Sequence, residues 1–295
     1  MRTSGRGRAG EYSAAGLGGA LVLALSFLAV PAAADSVADL VAEGDAHYDR
    51  RAEGARGGTA DPRETDLAIA SYRRALAAAP RDLHVLSRLM RAFNFRGAFC
   101  GADIESQKRI FDEGKTLGQA EVDRLEATVK GKSPADRITA LRAIPGAGDA
   151  YYWTAACWGQ WALARGKFAA ARAGVAGRVR DLAETVVAID PALEEGGGYR
   201  VLGRLHDQSP RIPFITGWVS KDKALDYLRK SYALGPTNPV TWFFLGEAIL
   251  AHAPQNAEEG RRMLRKCVET PPRADYFVES VQYAEFARAR LGAAR

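Results

Sequence analysis

Tyr199-Arg-Val-Leu-Gly-Arg-Leu-His206 and Trp242-Phe-Phe-Leu-Gly-Glu-Ala-Ile249 share one pattern, and each is followed by a matching second segment. The second segments are Ala224-x3-Leu228-x2-Ser231-x4-Pro236 and Gly260-x3-Leu264-x2-Cys267-x4-Pro272. A large residue, a small residue where two helices cross, another large residue and a closing proline make the signature of the tetratricopeptide (TPR) repeat. Neither helix of such a pair buries its apolar stripe alone, so pairs stack into a solenoid.

The register extends outward from there. Leu228, Ser231 and Pro236 recur 36 residues later as Leu264, Cys267 and Pro272, while Gly203 and Gly246 lie 43 apart, which places insertions between paired helices. Pro236 to Gly246 is ten residues, and so is Pro80 to Met90 in an earlier repeat. A first pair is expected from helices near Leu40–Arg51 and Asp66–Ala79, joined by a flexible Gly/Ala/Pro-rich loop over 54–63. A second pair starts at Leu86 and continues in a helix from Ile104 to about Leu117. A third runs from Tyr151-Tyr-Trp153 to a helix over Val179–Ile189 closed by Asp190-Pro191. Residues 120–148 fit the repeat poorly and read as short helices between turns. Ala274 to Leu291 forms a last amphipathic helix, of the kind that covers the open end of a solenoid. The fold class is therefore all-α: an irregular TPR-like α-solenoid of helix-turn-helix pairs with a C-terminal capping helix.

Arg2, Arg6 and Arg8 precede an apolar run from Leu17 to Val30 and then Ala32-Ala33-Ala34. This is the layout of a secretory signal peptide cleaved before Asp35. The apolar run is shorter than the roughly 20 residues that span a bilayer as a helix. Residues 1–34 are thus expected to be a signal peptide and 35–295 the helical repeat domain, periplasmic or secreted, with an uncleaved anchor as the alternative.

The formal net charge of +6 falls to +4 without residues 1–34, which remove three Arg and one Glu. The cations are scattered rather than clustered, so no nucleic-acid footprint is expected. Three cysteines in an exported chain leave at least one without an intramolecular partner. Cys157 and Cys267 fall at small-residue crossing positions and read as core, whereas Cys100 lies in a turn.

Catalytic and metal-binding patterns are not expected. His47, His84, His206 and His252 are far apart, and His206 takes a large-residue packing position. Gly114-Lys-Thr116 imitates the end of a phosphate loop but lies in a helical pattern with Arg109 where a glycine is needed. Gly196-Gly-Gly198 reads as a flexible joint, or as an anion cradle at a helix start. No metal and no cofactor are implied, and the chain is not expected to be an enzyme.

The first helix of each pair lines the concave face. Positions one, five and eight residues beyond Leu86, Trp153, Tyr199 and Trp242 bring Arg91 and Asn94, Trp158 and Trp161, Arg200 and Arg204, and Phe243 to that face. Guanidinium groups pair with carboxylate or phosphate in a bidentate fork, and tryptophan supplies a flat apolar wall. These seven residues are the candidate site for an organic anion with an apolar portion. Trp153 and Trp242 hold consensus packing positions and read as core.

The segments Ala150-Tyr-Tyr-Trp-Thr-Ala-Ala-Cys-Trp-Gly-Gln-Trp161, Val186-Val-Ala-Ile-Asp-Pro191, Gly196-Gly-Gly-Tyr-Arg-Val-Leu-Gly-Arg-Leu205 and Lys223-Ala-Leu-Asp-Tyr-Leu228 resemble the T component of TRAP transporters, the TatT-like family. The likeness covers roughly residues 85–270. It implies a periplasmic protein of irregular TPR-like pairs that docks the substrate-binding protein of an ATP-independent uptake system and holds an organic acid or hydrophobic ligand. That family's lipoprotein cysteine has no counterpart before Cys100. Docking of such a partner is the expected function, with a homo-oligomer compatible with it. The alternative is a general cell-envelope scaffold that grips a peptide segment or assembles an export or cell-wall complex.

Overall fold

The computed structural model describes residues 36–293, so the expected signal peptide lies outside the described residues. The helices are α1 (Val37–Asp49), α2 (Pro62–Ala78), α3 (Leu83–Phe99), α4 (Ile104–Thr128), α5 (Pro134–Arg142), α6 (Ala147–Arg165), α7 (Lys167–Arg172), α8 (Val175–Ile189), α9 (Leu193–Gln208), α10 (Lys221–Leu234), α11 (Pro239–His252), α12 (Ala257–Glu269) and α13 (Phe277–Ala293). There is no strand among the described residues. Five antiparallel pairs stack in order: α1/α2, α3/α4, α6/α8, α9/α10 and α11/α12, with α5 and α7 inserted around the third and α13 at the end.

Short polar residues start most of these helices. Ser36, Asp61, Asp82, Asp103, Ser133, Ser220 and Asn238 each accept a first-turn backbone N–H, an arrangement worth about 1 kcal/mol apiece. The crossings use the small residues of the signature. A Cβ at Gly203 would lie 2.5 Å from Leu228 Cγ, and one at Gly246 would lie 2.9 Å from the Leu264 side chain. Trp242 is buried at its packing position, and its indole N–H donates to the Pro236 carbonyl at 2.8 Å.

Three local expectations change. Helix α4 continues eleven residues past Leu117 to Thr128, because Gly118, Val122 and Leu125 carry a buried face on along α6. The 54–63 loop is docked rather than flexible: Gly58 N–H donates to Glu285 Oε1 at 3.1 Å, and Gln282 Nε2 donates to the Gly58 carbonyl at 3.1 Å. Gly196–Gly198 is not a joint either. All three glycines are buried, and Cβ atoms there would strike Ser231, Tyr152 and Val186.

The capping helix does more than cover one end. It packs on α11 and α12 and also meets the first repeat: Val278 joins a core cluster with Tyr48 and Phe95, and the Arg51 guanidinium donates to the Asp275 carbonyl. The superhelical turn therefore closes on itself, and the first helices of the pairs surround an interior. Cys100, Cys157 and Cys267 are all free and buried.

Candidate functional site

Two cavities lie in that interior. The first, about 220 Å³, is bounded by Tyr48 and Asp49 of α1, Arg51 just beyond it, Arg91, Asn94, Phe95 and Phe99 of α3, Trp153 of α6, Glu194 of α9, and Asp275, Tyr276 and Glu279 at the start of the capping helix. The second, about 190 Å³, is bounded by His84, Ser87, Arg88 and Arg91 of α3, Asp149 and Trp153 of α6, and Glu194. Arg91, Trp153 and Glu194 wall both. Every contributing helix is the first of its pair or the cap, as stacking requires of a concave face.

Glu194 reaches this position through an unusual turn. Glu194 (φ 51, ψ 43), Glu195 (φ 55, ψ 49) and Gly196 (φ 74, ψ 30) are consecutive left-handed residues at the start of α9. Left-handed helical geometry costs a non-glycine residue roughly 1–2 kcal/mol, so the surroundings must impose it. Arg200 supplies much of that constraint. Its guanidinium is 7% exposed and donates to the Glu194 carbonyl at 3.1 Å, the Glu195 carbonyl at 3.4 Å, Tyr152 Oη at 3.2 Å and Thr241 Oγ1 at 3.3 Å. The Glu195 carboxylate is held by Arg273 at 2.8 Å and by Asn238 at 2.8 Å, leaving Glu194 to accept from Tyr276 Oη at 3.3 Å.

The polar atoms left over are concentrated here. Among the described residues, the buried side-chain atoms without a hydrogen-bond partner are Arg51 Nε, Ser87 Oγ, Arg91 Nε and Glu279 Oε2. All four residues line one or both cavities. Leaving such a group unsatisfied costs about 1–3 kcal/mol, so their clustering in one interior calls for a cause. Burial pushes the Glu279, Glu194 and Asp149 carboxyls above their usual range and the Tyr48 phenol up to about 12. Burial opposes the charge of Arg91, but Tyr48, Tyr72 and Glu194 outweigh it and keep the guanidinium firmly protonated. Arg91 also lies over the Tyr48 ring, 4.2 Å from its centroid.

Of the candidates read from sequence, Arg91 and Asn94 line the first cavity. The other five are engaged elsewhere. Arg200 is committed to the left-handed turn, and Arg204 is paired with Asp207 at 2.8 Å and Glu247 at 2.9 Å. Trp158 and Trp161 face α4, their indole N–H groups donating to Gln119 at 3.0 Å and Asp112 at 2.6 Å. Phe243 is buried against Tyr283 and Phe286 of the cap. Trp153, read as core, does pack half-buried against two core clusters and is also the tryptophan of the cavities. It holds in α6 the place Arg91 holds in α3, so counting from Trp153 as the first large residue set Trp158 and Trp161 too far along. Arg51, Glu194, Tyr276 and Glu279 were missed. The pair of glutamates before three glycines was the one available signal, whereas the cap residues enter only through closure of the superhelix.

A separate surface carries exposed apolar side chains. Leu163 and Phe168 (93% exposed) stand at the α6–α7 corner, and Ile212, Phe214 and Ile215 stand on the loop between α9 and α10. Both are turns between the paired helices of neighbouring repeats, and Arg180 of α8 lies over the Trp218 ring at 4.7 Å. The loop is braced: Thr216 Oγ1 donates to the Pro210 carbonyl at 2.6 Å and accepts from Ile212 N–H at 2.9 Å, with Phe214 held outward at φ 66. Exposed Arg172, Arg178, Arg211 and Lys223 stand on the same segments.

Among the described residues no group of three or more His, Cys, Asp or Glu side chains is placed to hold a metal ion, and no helix is long and apolar enough to cross a membrane. In comparison with known proteins, no family model matches the chain and no curated protein matches it in sequence.

Proposed function

We propose that this chain is a non-catalytic TPR-type docking protein of the cell envelope, exported to the periplasm or beyond, that holds a small ligand with an anionic group inside its closed superhelix. The observation that carries the reading is that, among the described residues, the four partnerless buried side-chain atoms gather on the interior cavities. Arg51 and Arg91 offer free N–H donors to a carboxylate, and Phe95, Trp153 and Tyr276 wall the remainder. The resemblance to TRAP transporter T components supplies the wider role: docking a substrate-binding protein of an organic-acid uptake system. The exposed apolar side chains around Phe168 and Phe214, with the exposed Arg172 and Arg211 near them in sequence, suit an acidic partner protein.

The alternative scaffold gripping an extended peptide needs an open concave groove. Contact of the cap with the first repeat interrupts such a groove and leaves two partly open cavities of about 220 and 190 Å³. Two experiments test the proposal. In a thermal-shift screen of organic acids, at least one should raise the melting point of the wild type but not of Arg91→Met; no rise, or an equal rise in both, refutes the ligand role. In capture with a TRAP substrate-binding protein from the same host, Phe168→Ser/Phe214→Ser should lose binding seen with the wild type; no capture by the wild type refutes the docking role.

A further inference from the structure

The cavity that offers donors to an anion also offers acceptors to a cation. Glu279 is 8% exposed, its Oε2 has no partner, and neither Glu279 nor Glu194 is in a salt bridge among the described residues. Asp275, the other carboxylate at the cap, is taken by Arg273 at 2.6 Å. The first cavity therefore holds three carboxylates without ion-pair partners among the described residues, Glu194, Glu279 and the exposed Asp49, together with two guanidinium groups that have free Nε–H donors. A ligand bearing only a carboxylate satisfies Arg51 and Arg91 but sets a further anion beside these carboxylates. A ligand bearing only a cation leaves both Nε–H groups orphaned. Rings of Tyr48, Phe95, Trp153 and Tyr276 complete the wall. Arg51 and Arg91 lie over Tyr48, Arg51 over Phe95 and Arg273 over Tyr276, which leaves Trp153 as the one of these rings whose face can attract a bound ammonium.

We infer that the interior ligand is a small zwitterion of amino-acid type, with its carboxylate on Arg51 and Arg91 and its ammonium on Glu279 and Glu194. This rests on the interior-ligand reading and adds the second charge to it. The cavity of about 220 Å³ has room for several waters and so for a short aliphatic chain. Burial raises the carboxyl pKa values of Glu279 and Glu194 even though Arg51, Arg91 and Arg200 pull them down, and an ammonium within hydrogen-bond reach would favour the charged forms further.

Isothermal titration calorimetry at pH 7 tests this with ω-amino acids from glycine to 6-aminohexanoate, the matched straight-chain carboxylates and the matched alkylamines. At least one zwitterion should bind tenfold or more tightly than its carboxylate and its amine. Glu279→Gln should bring that zwitterion to within about threefold of the carboxylate, by weakening the zwitterion and strengthening the carboxylate, and Arg91→Met should abolish both. Circular dichroism melts confirm that each variant is folded. A carboxylate as tight as every zwitterion, with binding lost in Arg91→Met, overturns the zwitterion and leaves the interior site standing. Absence of binding by every probe, or binding indifferent to Arg91→Met, overturns both.

Discussion

Glu279→Gln is expected to make the ligand-free protein more stable. The wild-type carboxyl is buried beside the first cavity with one oxygen unpartnered, and burial raises its pKa despite the field of Arg51. Its ordinary value is 4.5. Between that pH and the raised native value, the folded protein keeps a proton that the unfolded chain has released. Native stability from this group is therefore full below about pH 4.5 and is lost as pH rises through the native pKa. At pH 7 the native state bears a desolvated, incompletely paired anion, a condition that costs about 1–3 kcal/mol. The amide keeps the shape and removes the charge. At roughly 2–4 °C per kcal/mol for a domain of this size, the melting point should rise by a few degrees at pH 7 and change little at pH 4. Differential scanning calorimetry of both proteins across that range is the assay. A Glu279→Gln protein less stable than wild type at pH 7, or one with the same gain at both pH values, would refute the claim that this carboxylate lacks a partner.

Other expectations concern the frame that holds the site. Gly203→Ala places a methyl group 2.5 Å from Leu228 Cγ and should cost about 1–3 kcal/mol as overpacking, measured by urea denaturation. Arg200→Met removes the donors that hold the left-handed turn and should cost about 3 kcal/mol or more, in line with loss of a buried charged group from its network, with Tyr152 and Thr241 left short of a donor; denaturation equal to wild type refutes this. His206 accepts from Ser220 N–H at 3.0 Å, and burial, helped by Lys223 and Lys221, lowers its pKa to about 4. Its ring protons should titrate near pH 4 by NMR, and the stability it contributes as a neutral ring should disappear as pH falls from 6.5 towards 4.

Much of the fold was legible because TPR packing is local. Gly203 with Leu228, and Gly246 with Leu264, meet within one helical pair, and the spacing that makes them meet is written in a few dozen residues. The cavity was legible only in part, for the opposite reason. Arg91 and Asn94 follow from the inward face of α3, but Arg51, Tyr276 and Glu279 come together across the closure of the whole superhelix, some 220 residues apart in the chain. Helix α6 shows the intermediate case. Insertions on both sides, α5 and α7, displace the register, so Trp153 faces the interior while Trp158 and Trp161 bond to α4. Arg200 was read as an inner-face cation of α9, yet the left-handed turn at Glu194 and Glu195, which no periodicity encodes, brings their carbonyls to its guanidinium.

The central claim is that the interior between Arg91, Arg51 and Glu279 is the ligand site. Crystals grown with the tightest-binding compound from the thermal-shift screen test it most directly. Electron density for that compound is expected in the first cavity, with its carboxylate within hydrogen-bond distance of Arg51 and Arg91 Nε. Ordered water alone in the cavity, with the compound bound on the outer surface, would contradict it.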